Sequence, residues 1–160
     1  PAPAAPLDEE LLSCIAYASP NEHEAALLSG LPLKTDAHGV NPEDLDAVVQ
    51  NLRAKGIRKL MITLGSNGAI LCDGEHQIQV PCVQMPDVKD PTAAGDSFVA
   101  AFCTGVAGGV SEEDALRMAA YTAAITVCGM GAMPSLPTME QVLALMKEQG
   151  ELELANKLSK

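Results

Sequence analysis

The apolar and polar positions alternate between helical and strand-like blocks along the chain. Asp8, Glu9 and Glu10 stand ahead of LLSCIAYA, which predicts a short helix running toward a strand near Ala18. Ser19-Pro20-Asn21 makes a turn. Asn21 as N-cap, Glu24 three residues on and Gly30 as a stop predict a second helix. LPLKTDAHGV, residues 31–40, has no periodicity and reads as loop. Residues 42–55 carry the clearest helical signal. Asn41 caps them, Pro42 takes the first turn, Glu43 and Asp44 face the positive end, and Gly56 stops the run. Leu45, Val48, Val49 and Leu52 then form one buried stripe at i, i+3, i+4 and i+7.

Ile57–Leu64 and Ala69–Cys72 are strand candidates around Gly65-Ser66-Asn67-Gly68, a hairpin pattern. Asp73-Gly74 turns the chain into a third strand over His76–Val83, with Ile78 and Val80 alternating. Residues 84–96 read as loop, followed by helices over Ser97–Gly108 and Glu112–Val127. Ser111 caps the latter, with Asp114 at the capping-box position. GMGAMPSLP is loop. Thr138 with Gln141 opens a last amphipathic helix (Val142, Leu143, Leu145, Met146) ending near Gly150, and a charged tail over 151–160 frays or continues it. Helices preceding and following strands in this order predict an α/β fold. The strands are fewer than a complete doubly wound sheet shows.

Composition narrows the functions. The 160 residues are 48% hydrophobic and 19% charged, which fits one globular unit. Aromatics are 2%, with no Trp, so Leu, Ile, Val, Met and Ala must build the core. Ten Lys and Arg against 21 Asp and Glu give a formal charge of −11. That argues against a nucleic-acid surface and against docking on anionic lipid. A phosphate would have to be held by backbone N–H groups, helix ends or a metal ion. The five cysteines (14, 72, 82, 103, 128) form no C-x-x-C pair and do not combine with His23, His38 or His76 at zinc spacing. Buried, reduced thiols of a cytoplasmic protein are expected. The opening PAPAAPLDEE has no basic n-region and so no secretory signal. The apolar stretches 97–110 and 119–133 are shorter than the ~20 residues of a membrane span and read as core helices. The extended Pro-Ala start over residues 1–6, with no Met, suggests a piece of a larger chain.

The most informative stretch is Asp90-Pro91-Thr92-Ala93-Ala94-Gly95-Asp96-Ser97-Phe98. Small residues precede a carboxylate at the mouth of an apolar helix, where unpaired N–H groups and the helix dipole favour an anion. Asp96 beside a phosphoryl group is badly placed as a ligand and well placed as a base for an attacking hydroxyl. The competing reading is a plain N-cap in a tight turn.

This stretch resembles the second signature of the ribokinase-type (phosphofructokinase-B) carbohydrate kinases, usually DTxGAGDxF, with Pro91 and Ala93 as departures. Three further segments resemble the family in the same order. Asn21-Glu22-His23-Glu24 resembles its N-x-x-E motif, Ile62–Gly68 its nucleotide strand and turn, and Gly131-Ala132-Met133-Pro134-Ser135 the loop closing its monovalent-cation site. The similarity covers the chain, 1–160, as the C-terminal half of a ribokinase-like, Rossmann-like three-layer α/β/α kinase domain lacking the N-terminal half and lid.

The resemblance implies roles. Asp96 is the base, and the N–H groups of Ala94, Gly95 and Asp96 form an anion hole. Asn21, Thr63, Gly65, Ser66, Asn67, Gly68 and Gly95 line the nucleotide. Ala120 lies near adenine but has no polar side chain to contact it. Glu24 acts on magnesium through water. Asp90, Thr92, Thr126, Gly129, Gly131 and Ser135 surround potassium, mostly through carbonyl oxygens. The implied cofactors are Mg2+ with ATP, and K+ as activator. The implied partners are ATP and a small sugar, ribose first, in a homodimeric complete enzyme. Asn21 and Glu24 also read simply as a cap. Without the half that holds the sugar, this chain is expected to be inactive alone and to leave an open sheet edge and exposed apolar surface. The alternative is a truncated, non-catalytic nucleotide- or partner-binding module of the same fold.

Overall fold

The computed structural model describes residue 5, residues 7–36 and residues 39–159. Most of the expected extended start over residues 1–6, and His38, lie outside the described residues. The chain divides into two units, Pro1–Pro81 and Cys82–Lys160.

In the first unit the order is α1 (Glu9–Cys14), β1 (Tyr17–Ala18), α2 (Glu22–Ser29), β2 (Thr35–Asp36), β3 (Gly39–Val40), α3 (Pro42–Ala54), β4 (Lys59–Thr63), β5 (Ala69–Cys72) and β6 (Gln77–Val80). Four strands form one sheet in the order β1-β4-β5-β6. β1 runs parallel to β4, and β4, β5 and β6 form an antiparallel meander. A single 3₁₀ turn at Gly65–Asn67 joins β4 to β5. Gly68, at φ 87° and ψ −134°, takes a conformation that a side chain would clash in. β5 is buried along its whole length, whereas the edge strand β6 alternates, with Val80 buried and both glutamines exposed.

The stripe on α3 is buried as expected: Leu45, Val48, Val49 and Leu52. They join Leu60, Ile62 and Ile70 of the sheet in one core. Burying each such side chain stabilises the fold by roughly 1.5–3 kcal/mol. Asn41 caps α3 by accepting from the Glu43 and Asp44 N–H groups, both at 3.0 Å.

The second unit is helical: α4 (Ala94–Ala107), α5 (Glu112–Thr126), α6 (Met139–Glu148) and α7 (Leu152–Leu158), with a 3₁₀ turn at Met133–Ser135. α4 and α5 form a helical hairpin that crosses closely at Gly105. A Cβ there would stand 3.0 Å from both Ala115 Cβ and Met118 Cε. Met118 and Tyr121 of α5 share a core with Val142, Met146, Leu154 and Ala155. Arg117–Glu151 and Lys157–Asp114 ion pairs add to the attachment of α7.

Four expectations need correction. The stretch 31–40 is not all loop: Thr35–Asp36 and Gly39–Val40 pair antiparallel, in strands too short to show a period. α4 starts at Ala94, three residues before Ser97, because its N-cap is not a capping residue type. The charged tail forms a separate helix, since Gly150 at φ 90° breaks the run after α6. Only Cys72 is buried; Cys14 and Cys103 are exposed, and all five thiols are free. Burial, with Asp46 and Asp73 nearby, pushes the Cys72 thiol up to about 11, which keeps it protonated and unreactive. No helix among the described residues is long and apolar enough to cross a membrane. Met130 and Met133, in the loop after α5, are 67% and 83% accessible.

Candidate active site

The residues singled out in the sequence fall into two groups, one in each unit.

In the first unit, sheet register brings the N-x-x-E segment to the end of β4. The Thr63 N–H donates to the Pro20 carbonyl at 3.2 Å, and Asn21 bridges to Thr63 in parallel register. Asn21 therefore starts α2 beside the strand end that leads into the Gly65–Gly68 turn. Both side chains of the motif are engaged in a capping box. Asn21 Oδ1 accepts from the Glu24 N–H at 2.9 Å, and Glu24 Oε2 accepts from the Asn21 N–H at 2.8 Å. This leaves Glu24 Oε1 and the Asn21 side-chain NH2 without a protein partner among the described residues. Ser66 is exposed. Asn67 Nδ2 donates to the Asp36 carbonyl at 3.2 Å and ties the turn to the β2–β3 hairpin. That strut was not legible in the sequence, because the hairpin was not.

In the second unit, the mouth of α4 is built without a side-chain cap. Its N-cap is Ala93, at φ 64°. Ala93 is the one non-glycine residue with positive φ among the described residues. For an L-residue that conformation costs roughly 1–2 kcal/mol. The strain falls where the family signature ordinarily has Gly. The Ala94 N–H donates to the Pro91 carbonyl at 3.2 Å, and the Ser97 N–H donates to the Ala93 carbonyl at 2.8 Å. Between them the Gly95 and Asp96 N–H groups have no protein acceptor among the described residues. The expected trio of amides is thus two open amides and one closed by the turn. Asp96 stands exposed in the first turn of α4. A Cβ added at Gly95 would meet nothing within 4 Å, so the space around it is open. Open amides at a helix start, with a carboxylate beside them, suit an anion and a proton acceptor at one place.

The six residues expected around a cation form linked contacts in the same unit. Asp90 Oδ1 accepts from the Thr92 N–H at 2.9 Å, and its Oδ2 accepts from the Gly131 N–H at 2.9 Å, across 41 positions. The Thr92 side chain, then the Gly131 and Thr92 amides, hold the Asp90 carboxyl below the usual carboxylate range. The Lys89 and Asp90 N–H groups donate to the Val127 carbonyl at 2.8 and 3.1 Å. The Gly129 N–H donates to the Thr126 carbonyl at 3.1 Å. A Cβ at Gly129 would lie 2.6 Å from Ser135 Cβ, so only glycine fits there. Ala120 is buried, 8% exposed, six residues or about 9 Å along α5 from Thr126. No group of three or more His, Cys, Asp or Glu side chains that could hold a metal occurs among the described residues.

With this geometry, the chain belongs to the pfkB family of carbohydrate kinases, which it matches over residues 1–139. Within that family it is similar to ribokinases. The ribokinase of Arabidopsis thaliana is 38% identical over 143 residues, covering 89% of this chain and 36% of that protein. The ribokinase of Schizosaccharomyces pombe is 41% identical over 145 residues, covering 89% of this chain and 44% of that protein. The structure of the Arabidopsis ribokinase complexed with ribose and ATP superposes with a TM-score of 0.83 at 36% identity, over 90% of this chain and 45% of that one. Thermotoga maritima ribokinase gives 0.79 at 30% identity, over 92% and 47%. The fold is therefore the ribokinase-like α/β fold, and the chain spans less than half the length of these relatives.

Proposed function

We propose that the complete protein carrying this chain transfers the γ-phosphoryl group of ATP to a hydroxyl of a small sugar, ribose first. Residues 1–160 supply its nucleotide-binding and catalytic half. The observation that carries the reading is the mouth of α4, where two open amides and the exposed Asp96 carboxylate meet in the family signature. Asp96 takes the proton from the attacking sugar hydroxyl. The Gly95 and Asp96 amides receive the charge on the transferred phosphoryl group, and the turn through Ala93 and Ala94 aims them. Asn21, Thr63, Gly65, Ser66, Asn67 and Gly68 take the nucleotide, and Ala120, placed near adenine by the family resemblance, has no polar side chain to contact it.

The residues present fit the implied cations. Glu24 keeps one carboxylate oxygen outside its capping box, which suits a water-mediated contact to magnesium carried on the phosphates. Asp90, Thr92, Thr126, Gly129, Gly131 and Ser135 offer oxygen donors only, with a single carboxylate, which suits a monovalent alkali cation. When bound, these cations supply positive charge beside the phosphoryl group. The lean to ribose comes from the ribokinase relatives and from Ala93-Ala94-Gly95-Asp96 and Gly131-Ala132-Met133-Pro134-Ser135.

The test is ATP consumption by the complete natural chain against ribose, 2-deoxyribose, fructose and adenosine, with the product weighed by mass spectrometry. Sugar-dependent ADP release, fastest with ribose and giving a sugar monophosphate, is expected. ATP binding with no phosphorylated product from any of them would return the chain to the non-catalytic module.

A further inference from the structure

Three oxygens link the end of α5 to the start of α4. Thr126 Oγ1, in a fully buried residue, donates to Ser97 Oγ at 3.0 Å. Ser97, 4% exposed, donates through Oγ to the Ala94 carbonyl at 3.0 Å. The Ala94 carbonyl and the Gly95 N–H belong to one planar peptide unit. That N–H is one of the two open amides at the mouth of α4. Thr126 is also the last residue of α5, and its carbonyl accepts from Gly129 in the following loop. One residue thus stands behind the open amide and at the root of the loop assigned to the cation.

Thr126 Oγ1 also lies 3.0 Å from the Thr122 carbonyl. A hydroxyl has one proton, so two arrangements compete. In the first, Thr126 donates to Ser97 and Ser97 donates to Ala94. In the second, Ser97 donates to Thr126 and Thr126 donates to Thr122, leaving Ala94 without the hydroxyl. An anion accepting from the Gly95 N–H pushes electron density onto the Ala94 oxygen and makes it the better acceptor. Hydrogen bonds in such a chain strengthen one another by about 10–30% each. The anion therefore selects the first arrangement, and that arrangement makes the Gly95 N–H a stronger donor.

We infer that Ser97 and Thr126 form a buried hydroxyl relay that orients and polarises the Gly95 amide toward the transferred phosphoryl group. Both are positioning residues, acting through the Ala94–Gly95 peptide. The effect on rate rests on the sugar-kinase reading; the effect on the amide does not.

The experiment uses the complete natural chain, labelled with 15N-glycine, as wild type and as Thr126→Val, Ser97→Ala and Thr126→Ser. The Gly95 amide proton is expected to move upfield in Thr126→Val and in Ser97→Ala, and to stay in place in Thr126→Ser. With the sugar substrate, kcat should fall by up to about fivefold in Ser97→Ala and by less in Thr126→Val, the roughly 10–30% of one charge-assisted hydrogen bond that the relay adds, with KM for ATP unchanged and Thr126→Ser restoring the rate. A pair that merely satisfies two buried hydroxyls would lower the melting temperature and leave the Gly95 resonance and kcat alone, which overturns the relay. Opposite shifts in Thr126→Val and Ser97→Ala would mean the second arrangement prevails, and also overturn it. If Thr126→Val fails to fold, Ser97→Ala and Thr126→Ser decide by the same resonance. If the wild type phosphorylates no sugar, the kinase reading fails and the Gly95 shift alone decides the relay.

Discussion

Two helix starts in this chain use opposite chemistry. α2 begins at Asn21 with both polar side chains of the N-x-x-E segment folded back onto its own first turn. α4 begins at Ala93 with no side-chain cap and a strained backbone. Among described helices of eight residues or more, α2, α3, α5 and α6 are capped by Asn21, Asn41, Ser111 and Thr138, and α4 alone is not. A cap satisfies orphan amides and stabilises the helix. Leaving them open costs stability and keeps a place for an anion. The first pattern closes its helix start with side chains and leaves only one Glu24 oxygen and the Asn21 NH2 over, whereas the second leaves backbone amides open at a strained residue, as functional sites often do.

The sharpest way to break the comparison is at the loop behind α4. Gly129→Ala would press a Cβ to 2.6 Å from Ser135 Cβ. Overpacking of that kind costs about 1–3 kcal/mol, so a clear drop in chemical-denaturation midpoint is expected. Asn21→Ala tests the other start. Removing the cap should cost about 1 kcal/mol, measurable as a lower melting temperature. An unchanged melting temperature would mean the box contributes nothing.

Ala93→Gly should act in the reverse direction. It relieves the αL penalty of about 1–2 kcal/mol but gives back about 0.5–1 kcal/mol of chain entropy, so a gain of up to about 1.5 kcal/mol is expected. A loss would show that φ 64° at this position is not a strain. The smallest effect is set by pH. Asp90 is depressed in the folded state, so its tie to Gly131 contributes fully above the ordinary carboxylate range and is lost only as pH falls through the lower folded value. Asp73, held down at about 2 by the His76 and Glu75 amides, should keep its turn to a still lower pH than an ordinary carboxylate would. Amide exchange at Gly131 and His76 during acid titration reads both; loosening of either near pH 4, where free carboxylates titrate, would contradict the sign.

What the sequence made legible was local. α3 followed from Asn41-Pro42 and a four-residue stripe, and the β4–β5 hairpin from its glycine turn. The β2–β3 pair did not, because two-residue strands have no pattern to read. The start of α4 was placed three residues late because Ala93 caps by backbone conformation rather than by residue type. The cation-loop residues were reached through family resemblance, since nothing local joins Asp90 to Gly131. The Ser97–Thr126 contact spans 29 positions between helices, and a serine on an apolar helix face was its only trace.

The central claim is the proposal that the Asp96 carboxylate at the open mouth of α4 acts in the transfer step and not in holding the nucleotide. Single-turnover phosphoryl transfer by Asp96→Asn in the complete natural chain, with ATP affinity measured alongside, tests it most directly. The account predicts a loss of about a hundredfold to ten-thousandfold in the transfer rate, with ATP affinity and melting temperature unchanged. A transfer rate within a few fold of wild type would leave Asp96 as an ordinary first-turn carboxylate and contradict the account.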